Sequence, residues 1–198
     1  MLWTDESPIE LNPKPNSQTY RIRTDNKANV PRVNIPKFGV KILVACGMTA
    51  QGVTELHIVE DGCTVNGNYY RTKILPIYLN ALNSGLFTSR SKASMMHDGA
   101  SAHFSKKTED IIKAKYSKFW GIDIWPGNGP DLNPIENLWA ILKYSVFIEP
   151  KPKTREELIH RVLETWNSFT LDLLKKLSQS FKKRIIELEK KQGLKIDY

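Results

Sequence analysis

The sequence has few cysteines, no long apolar run and none of the common short catalytic motifs. Its two cysteines, Cys46 and Cys63, are too far apart for a close-spaced metal motif, so we expect a reducing compartment. No apolar run reaches the ~18 residues that a membrane-spanning helix needs, so no membrane partner is predicted. The first ten residues, MLWTDESPIE, lack the order of a signal peptide. GxxxxGK(S/T), HExxH, GxSxG and paired CxxC motifs are absent, which sets aside the chemistries that they carry.

The chain does have an excess of positive charge. Among its 198 residues, 29 Lys and Arg stand against 21 Asp and Glu, giving a formal charge of +8 and a pI near 9.4. Such an excess favours an acidic partner, most commonly nucleic acid, although charge alone also fits a merely basic protein. The hydrophobic content of 40% is enough for the core of one domain with extensions. The cytosol or the nucleus is the expected compartment.

The hydrophobic pattern predicts an α/β sheet covered by helices. At the amino terminus, an apolar start runs into Asp5, and Ser7–Pro8 is typical of a turn, so a strand there would begin at the first residue and is expected to be truncated. A hairpin with long loops is predicted over 12–37. Further strands are predicted at 40–48, 53–60, 93–97 and 121–125, and helices at 68–82 with a kink at Pro76, from Ser101 or Ser105 to about 116, after Asn133, and at 155–167 and 170–191.

The stretch from Trp125 to Lys143, WPGNGPDLNPIENLWAILK, changes abruptly from a loop into a helix. Asn133 suits the N-cap, Pro134 suits the first helical position, and Glu136 follows three residues after the cap. Apolar residues then recur at intervals of three and four, which predicts one buried face. A rigid loop is therefore expected to present Glu136 at the start of a firmly packed helix.

Three acids occupy comparable predicted positions: Asp5 after a strand, Asp98 at the end of another strand, and Glu136 at a helix start. Strand ends in an open α/β sheet can converge on one edge, and clustered carboxylates are commonly held together by a hard cation such as magnesium. Each acid also has an ordinary role, as a terminal acid, a turn residue before Gly99, or a partner of Asn133 in a capping box. Spacing alone does not decide between these roles.

The segments LWTDES, HDGASAH and WPGNGPDLNPIENLW resemble the three active-site blocks of the mariner-type (Tc–mariner) superfamily of DDE transposases. The third block is the most specific. The resemblance covers residues 1–147 and implies an RNase H-like catalytic domain, followed by a basic helical extension over 148–198. It implies that Asp5, Asp98 and Glu136 are the catalytic residues and bind two Mg²⁺ ions, which Mn²⁺ can replace. His103 matches a recurrent histidine and, like Asn133, is expected to support the site.

The implied activity is hydrolytic cleavage of double-stranded DNA at transposon ends, followed by attack of the freed 3′ hydroxyl on target DNA. A nuclear location follows from that activity, and the sequence leaves the oligomeric state open, with a homodimer as one option. Two departures affect the site: Asp98 and Glu136 are further apart than is usual, and Gly99 stands where the family usually has asparagine.

Members of this superfamily carry helix-turn-helix modules ahead of the catalytic domain, and this sequence begins just before Asp5. We therefore expect either a fragment of a longer transposase or a protein derived from one. The alternative to an active enzyme is a catalytically inactive remnant that binds DNA or regulates. A general nuclease on RNA–DNA hybrids fits the third block less well.

The region after Phe147 is basic and predicted to be helical. Thr154 and Glu157 have the spacing of a capping box, and residues 151–198 contain 12 Lys and Arg against 7 Asp and Glu. Such a charge excess is typical of a solvated helix face and also of a surface that contacts phosphates, and the sequence leaves both open.

Overall fold

A computed structural model describes residues 1–12, 23–26, 28, 30, 39–103, 105–126 and 129–193. The strands are β1 Leu2–Glu10, β2 Lys41–Thr49, β3 Gly52–Val53, β4 His57–Ile58, β5 Ser94–Met96 and β6 Lys118–Trp120. The helices are α1 Gly67–Tyr69, α2 Leu75–Asn80, α3 Lys106–Lys113, α4 Pro134–Val146, α5 Arg155–Asn167 and α6 Leu171–Lys190. A π-helical turn, Tyr70–Ile74, joins α1 to α2, and 3-10 turns occur at Arg90–Lys92 and Pro130–Leu132.

The strands form one mixed sheet in the order β3-β2-β1-β5-β6, with β4 also paired to β2. Neighbours β2 and β1 are antiparallel, whereas β1, β5 and β6 are parallel to one another. Helices cover both faces of this sheet. Trp3 and Ile9 of β1 pack in a cluster with α4, α5 and α6, while Leu2 packs in a second cluster with the segment from α1 to α2 and with α3. The predicted mixed sheet flanked by helices is therefore confirmed.

The first strand is longer than the sequence suggested. Strand β1 continues through Ser7 and Pro8, which pair with Val44 and Leu43 of β2, so the predicted turn is wrong. Nine residues of this strand are present, from Leu2 to Glu10, and its truncation stays a prediction. Strand β5 pairs with β1 only at Leu2 and Trp3. Among the described residues, Pro8 therefore has a strand partner only in β2, and proline is tolerated where its other side needs no ladder hydrogen bond.

The strand predicted at 121–125 is also wrong. Strand β6 ends at Trp120, and the next residues turn back, with the Trp125 N–H donating to the Gly121 carbonyl at 2.7 Å. Ile122 and Ile124 are 41% and 61% exposed, so of the three large apolar side chains in this stretch only Trp125 is buried. Residues 121–125 therefore form one helical turn, closed by the hydrogen bond from Trp125 to Gly121, and not the predicted strand.

The strand predicted at 53–60 is divided into the two short strands β3 and β4. Met48 pairs with Val53, whereas Val44 pairs with Ile58, so the register changes by one residue between the two short strands. Thr54 lies at this change, where its hydroxyl accepts a hydrogen bond from the Gly47 N–H at 2.8 Å. Such a one-residue register change is a β-bulge, which bends the strand. The hairpin predicted over 12–37 lies almost entirely outside the described residues.

The helices agree better with their predictions. The helix predicted at 68–82 is present from Gly67 to Asn80, and its π-helical turn lies just before Pro76, which has no N–H to continue the α-helical pattern. Ser105 rather than Ser101 caps α3. Helices α5 and α6 begin after the caps Thr154 and Thr170, and both contribute to the same hydrophobic cluster as α4. The predicted helical carboxyl-terminal part is therefore present, while its separation from 1–147 as a domain stays a prediction. Within the described ranges, no helix is long and apolar enough to span a bilayer.

Candidate active site

Asp5 lies on β1, and Asp98 lies two residues after the end of β5, the parallel strand beside β1. Trp3 of β1 pairs with Met96 of β5, and each acid lies two residues further along its own chain. The Thr4 hydroxyl donates to the Met96 carbonyl at 2.7 Å and ties the two strands together at this point. Because neighbouring strands lie about 4.8 Å apart, the backbone brings these two acids side by side at the end of β5.

Glu136 reaches the same edge from the first turn of α4. The Asn133 side chain caps this helix by accepting the Ile135 N–H at 3.3 Å, and Pro134 occupies the first helical position, as predicted. One turn after Glu136, the buried Trp139 donates its Nε1–H to Asp5 Oδ2 at 2.8 Å. This hydrogen bond connects α4 directly to the first acid, so the position of Glu136 is coupled to that of Asp5.

The acids affect one another electrostatically. Burial and the negative charge of Glu136 raise the pKa of Asp5 from 3.8 to about 7, against the hydrogen bond from Trp139 that lowers it. Asp98 contributes to this increase. Burial and Asp98 also raise the pKa of Glu136, partly opposed by Lys143. The three acids therefore form one electrostatic cluster with an excess of negative charge.

Asp98 has a different environment from the other two acids. Burial by itself raises its pKa, but the hydrogen bonds from His103 and from the Ala100 N–H outweigh this effect and lower the pKa overall. The Nδ1 atom of His103 lies 2.8 Å from Asp98 Oδ1, and the Ala100 N–H donates to the same oxygen at 3.1 Å. Asp98 is therefore held as an ionised carboxylate with a fixed orientation.

His103 bridges Asp98 to a fourth acid, Glu6. Its Nε2 atom lies 3.1 Å from Glu6 Oε2, and its side chain is only 2% exposed. Burial lowers the pKa of His103, but the two carboxylates more than compensate and raise it to about 10, so the imidazole is charged and donates from both nitrogens. The ring of His97 stacks on it at 5.0 Å, and burial and the charge of His103 lower the pKa of His97 to about 3.

Sequence reasoning missed two of these residues. Glu6 adjoins Asp5, but strand alternation sends its side chain to the opposite face, where His103 lies. Trp139 is one of the recurring apolar residues of the predicted buried face, and its position three residues after Glu136 places both side chains on neighbouring parts of the helix surface. Only the contacts across the sheet reveal that these residues orient Asp98 and Asp5.

The donor chemistry of the cluster fits a hard divalent cation. Asp5 and Asp98 each use one carboxylate oxygen for the hydrogen bonds described above, and the other oxygen retains its capacity as a ligand. Nevertheless, no three His, Cys, Asp or Glu side chains in the described part of the chain are arranged to hold a metal ion. Within the described residues, the three acids therefore form an electrostatic cluster without the geometry of a formed metal site.

Comparison with known proteins places this geometry in context. The family model described as DDE superfamily endonuclease matches residues 1–159. The Tc3 transposase of Caenorhabditis elegans is 40% identical over 111 residues, which are 56% of this chain and 33% of that protein. The chain thus spans about one third of the length of this curated relative.

Solved structures of a mariner transposase have the same fold. A Mos1 mariner paired-end complex with Mn matches 99% of this chain and 56% of its own, with a TM-score of 0.78 at 17% identity. The catalytic domain of Mos1 matches 99% of this chain and 83% of its own, with a TM-score of 0.71 at 15% identity. At this identity the likeness shows the fold alone, and it confirms the predicted RNase H-like architecture.

Proposed function

Because the chain belongs to the DDE superfamily endonuclease family, as a catalytic domain of the Tc/mariner transposase type, we propose that it cleaves double-stranded DNA at transposon ends and joins the freed 3′ hydroxyl to target DNA. The observation that carries this proposal is the meeting of three acids. Asp5 and Asp98 each lie two residues after the paired residues Trp3 and Met96, and the hydrogen bond from Trp139 to Asp5 links the helix of Glu136 to them.

The proposed cofactor is a pair of Mg²⁺ ions held by Asp5, Asp98 and Glu136, with Mn²⁺ as a substitute. Bound ions would supply an activated nucleophile and stabilise the leaving oxygen. Two of the solved Mos1 complexes contain Mn and Mg, respectively, which supports divalent metal use here. The protein itself contributes orientation, since Trp139 fixes one carboxylate and His103 fixes another.

The proposed partners are transposon ends and target DNA, and the proposed location is the nucleus. The net charge of +8 supports a polyanionic partner. The Mos1 neighbours include a paired-end complex with the left transposon end and a strand transfer complex. Holding two ends together is most simply done by two copies of a chain, so we also propose a homodimer.

The second candidate is a catalytically inactive DNA-binding or regulatory protein. It is favoured by the absence, among the described residues, of three ligands arranged to hold a metal ion. The truncated first strand that motivates this candidate stays a prediction, while Asp5 itself lies within a strand that pairs with β2 from Trp3 to Glu10.

Nicking of supercoiled plasmid DNA by the 198-residue chain, with Mg²⁺ or Mn²⁺, distinguishes the two candidates. The active candidate requires metal-dependent nicking that Asp98→Asn abolishes. Asp110→Asn is the matched control, because Asp110 is an exposed acid on α3. Equal nicking by wild type and Asp98→Asn would identify a contaminating nuclease and reject the enzyme proposal, and DNA binding without nicking would favour the inactive candidate.

A further inference from the structure

Helix α6 lies outside the three acid-bearing segments and after the residues that the family model matches. It nevertheless contacts the first turn of α4, which carries Glu136, and the 3-10 turn before it. The residue that makes this contact is Arg184, which is only 7% exposed. Its Nη1 atom donates to the Asp131 carbonyl at 2.8 Å, and its Nη2 atom donates to Asn137 Oδ1. Its Nε atom donates to Ser180 Oγ of the same helix at 3.1 Å, which holds the guanidinium in place.

The two acceptors outside α6, Asp131 and Asn137, lie before and after Glu136 in the sequence. Asp131 belongs to the 3-10 turn before Asn133, and Asn137 directly follows Glu136. We name residues 129–137 the Glu136 segment. Because a buried guanidinium is costly unless its donors are satisfied, Arg184 favours the arrangement in which the turn and the first turn of α4 are both correctly placed. The guanidinium of Arg184 thus contacts the chain both before and after Glu136.

A second residue of α6 contacts Trp125, which lies just before the Glu136 segment in the sequence. Phe181, three residues before Arg184, stacks on Trp125 with ring centroids 6.0 Å apart and an interplanar angle of 20°. It also packs against Trp120 at the end of β6 and edge-on against Trp3, two residues before Asp5. Phe181 thereby holds the end of β6, the start of the loop and the beginning of β1 against one another.

We propose that α6 is a positioning element of the active site, in which Arg184 holds the Glu136 segment and Phe181 holds Trp125 ahead of it, so that Glu136 stays at the sheet edge where Asp5 and Asp98 lie. Arg184 acts through Asp131 and Asn137 and is a positioning residue. The inference rests on the proposed function for the role of Glu136, whereas the contact that it describes is independent of activity. A role of Arg184 in contacting DNA phosphates disagrees with its burial, and the exposed Lys182 and Lys183 are better placed for that role.

The test uses Arg184→Met, which keeps most of the side-chain length, and Arg184→Lys, which keeps the charge but not the planar fork. Lys183→Met is the matched control, since it removes the same charge from the adjacent, exposed position. Hydrogen exchange is measured at the Leu132, Asn133 and Glu136 amides, which donate within the segment, and at α5 amides as an internal reference. Mn²⁺ binding is measured by calorimetry, and plasmid nicking is measured over a range of Mn²⁺ concentrations.

In Arg184→Met we expect exchange in the Glu136 segment to accelerate at least ~10-fold while α5 is unchanged, because only this segment loses its support. Mn²⁺ affinity is expected to fall, and nicking to fall ~10- to 100-fold with partial recovery at high Mn²⁺. In all three measurements, Arg184→Lys should lie between wild type and Arg184→Met. Lys183→Met should match wild type in exchange and metal affinity.

Unchanged exchange of the segment in Arg184→Met would overturn the inference, as would equal acceleration in the segment and α5, which indicates a general loss of stability. A wild type that neither binds Mn²⁺ nor nicks DNA would reject the proposed function. The exchange measurement would then still decide whether α6 holds the Glu136 segment.

Discussion

Asp5→Asn is expected to stabilise the metal-free protein at pH 8 while abolishing the proposed metal-dependent nicking. The pKa of Asp5 is raised from 3.8 to about 7 by burial and by the neighbouring acids, so the folded state disfavours the ionised carboxylate. A raised carboxyl pKa costs no stability below the unfolded value, where both states are protonated. The cost grows as the pH rises through the interval between the two values and is complete above about pH 7.

The magnitude follows from the size of the shift. At about 1.4 kcal/mol per pKa unit, the shift from 3.8 to about 7 corresponds to at most about 4 kcal/mol of lost stability at pH 8. Asparagine removes the charge, retains the size and can still accept the hydrogen bond from Trp139. We therefore expect Asp5→Asn to gain about 1 to 4 kcal/mol at pH 8 and much less at pH 4.

Urea unfolding with a chelator present, at pH 4, 6 and 8, measures this gain as the difference between variant and wild type. Asp110→Asn, at an exposed position on α3, should show no such pH-dependent gain. Added Mg²⁺ should stabilise wild type but not Asp5→Asn, because only the intact acid cluster gains from a bound cation. A variant that is less stable than wild type at pH 8 would refute the reasoning, since it would mean that the Asp5 charge is favourable without metal.

Three further substitutions test the surroundings of the acids. Glu6→Gln should weaken the charge-assisted contact with His103 and lower stability by about 1 to 3 kcal/mol, with slower nicking, whereas Glu10→Gln at the exposed end of β1 should change neither. Trp139→Phe should lower stability by about 1 to 3 kcal/mol and reduce nicking, because it loses both volume and the donor to Asp5. Gly47→Ala should lower stability by about 1 to 3 kcal/mol, because its Cβ would lie 2.8 Å from Leu2 Cδ1.

Matched controls separate these effects from general loss of packing. Trp166 stacks on Trp139 and donates to the Thr54 carbonyl at 3.0 Å, so Trp166→Phe should lose comparable stability yet retain nicking. In Gly39→Ala no atom of the described residues lies within 4 Å of the added Cβ, so this variant should be neutral in urea unfolding. Nicking lost equally in both tryptophan variants would contradict the special role given to the contact with Asp5.

The helix that carries Glu136 could be predicted because its signals are local. Asn133, Pro134 and the recurring apolar residues specify a start and a buried face within one short segment, and the structure agrees with each of them. The register of Asp5 and Asp98 could only be expected in outline, since it depends on which strands pair and in which direction. The parallel pairing of Trp3 with Met96 settles it.

The predictions from sequence were wrong or incomplete where the structure depends on contacts between residues distant in the sequence. Ser7–Pro8 has the composition of a turn, but the long antiparallel pairing of β1 with β2 keeps it extended. His103 lies 97 positions from Glu6 in the sequence but only 5 positions from Asp98. Local sequence pattern could therefore indicate the contact with Asp98 but not the contact with Glu6. The contact of Arg184 with the Glu136 segment is likewise set by how α6 packs against α4.

Calorimetric titration of the metal-free protein with Mn²⁺ tests the central claim that the three acids form one metal site. The account predicts binding by wild type and by Asp110→Asn, and a loss of affinity of at least ~10-fold in each of Asp5→Asn, Asp98→Asn and Glu136→Gln. Equal binding by wild type and all three site variants would contradict the account, because Mn²⁺ would then bind elsewhere on the chain.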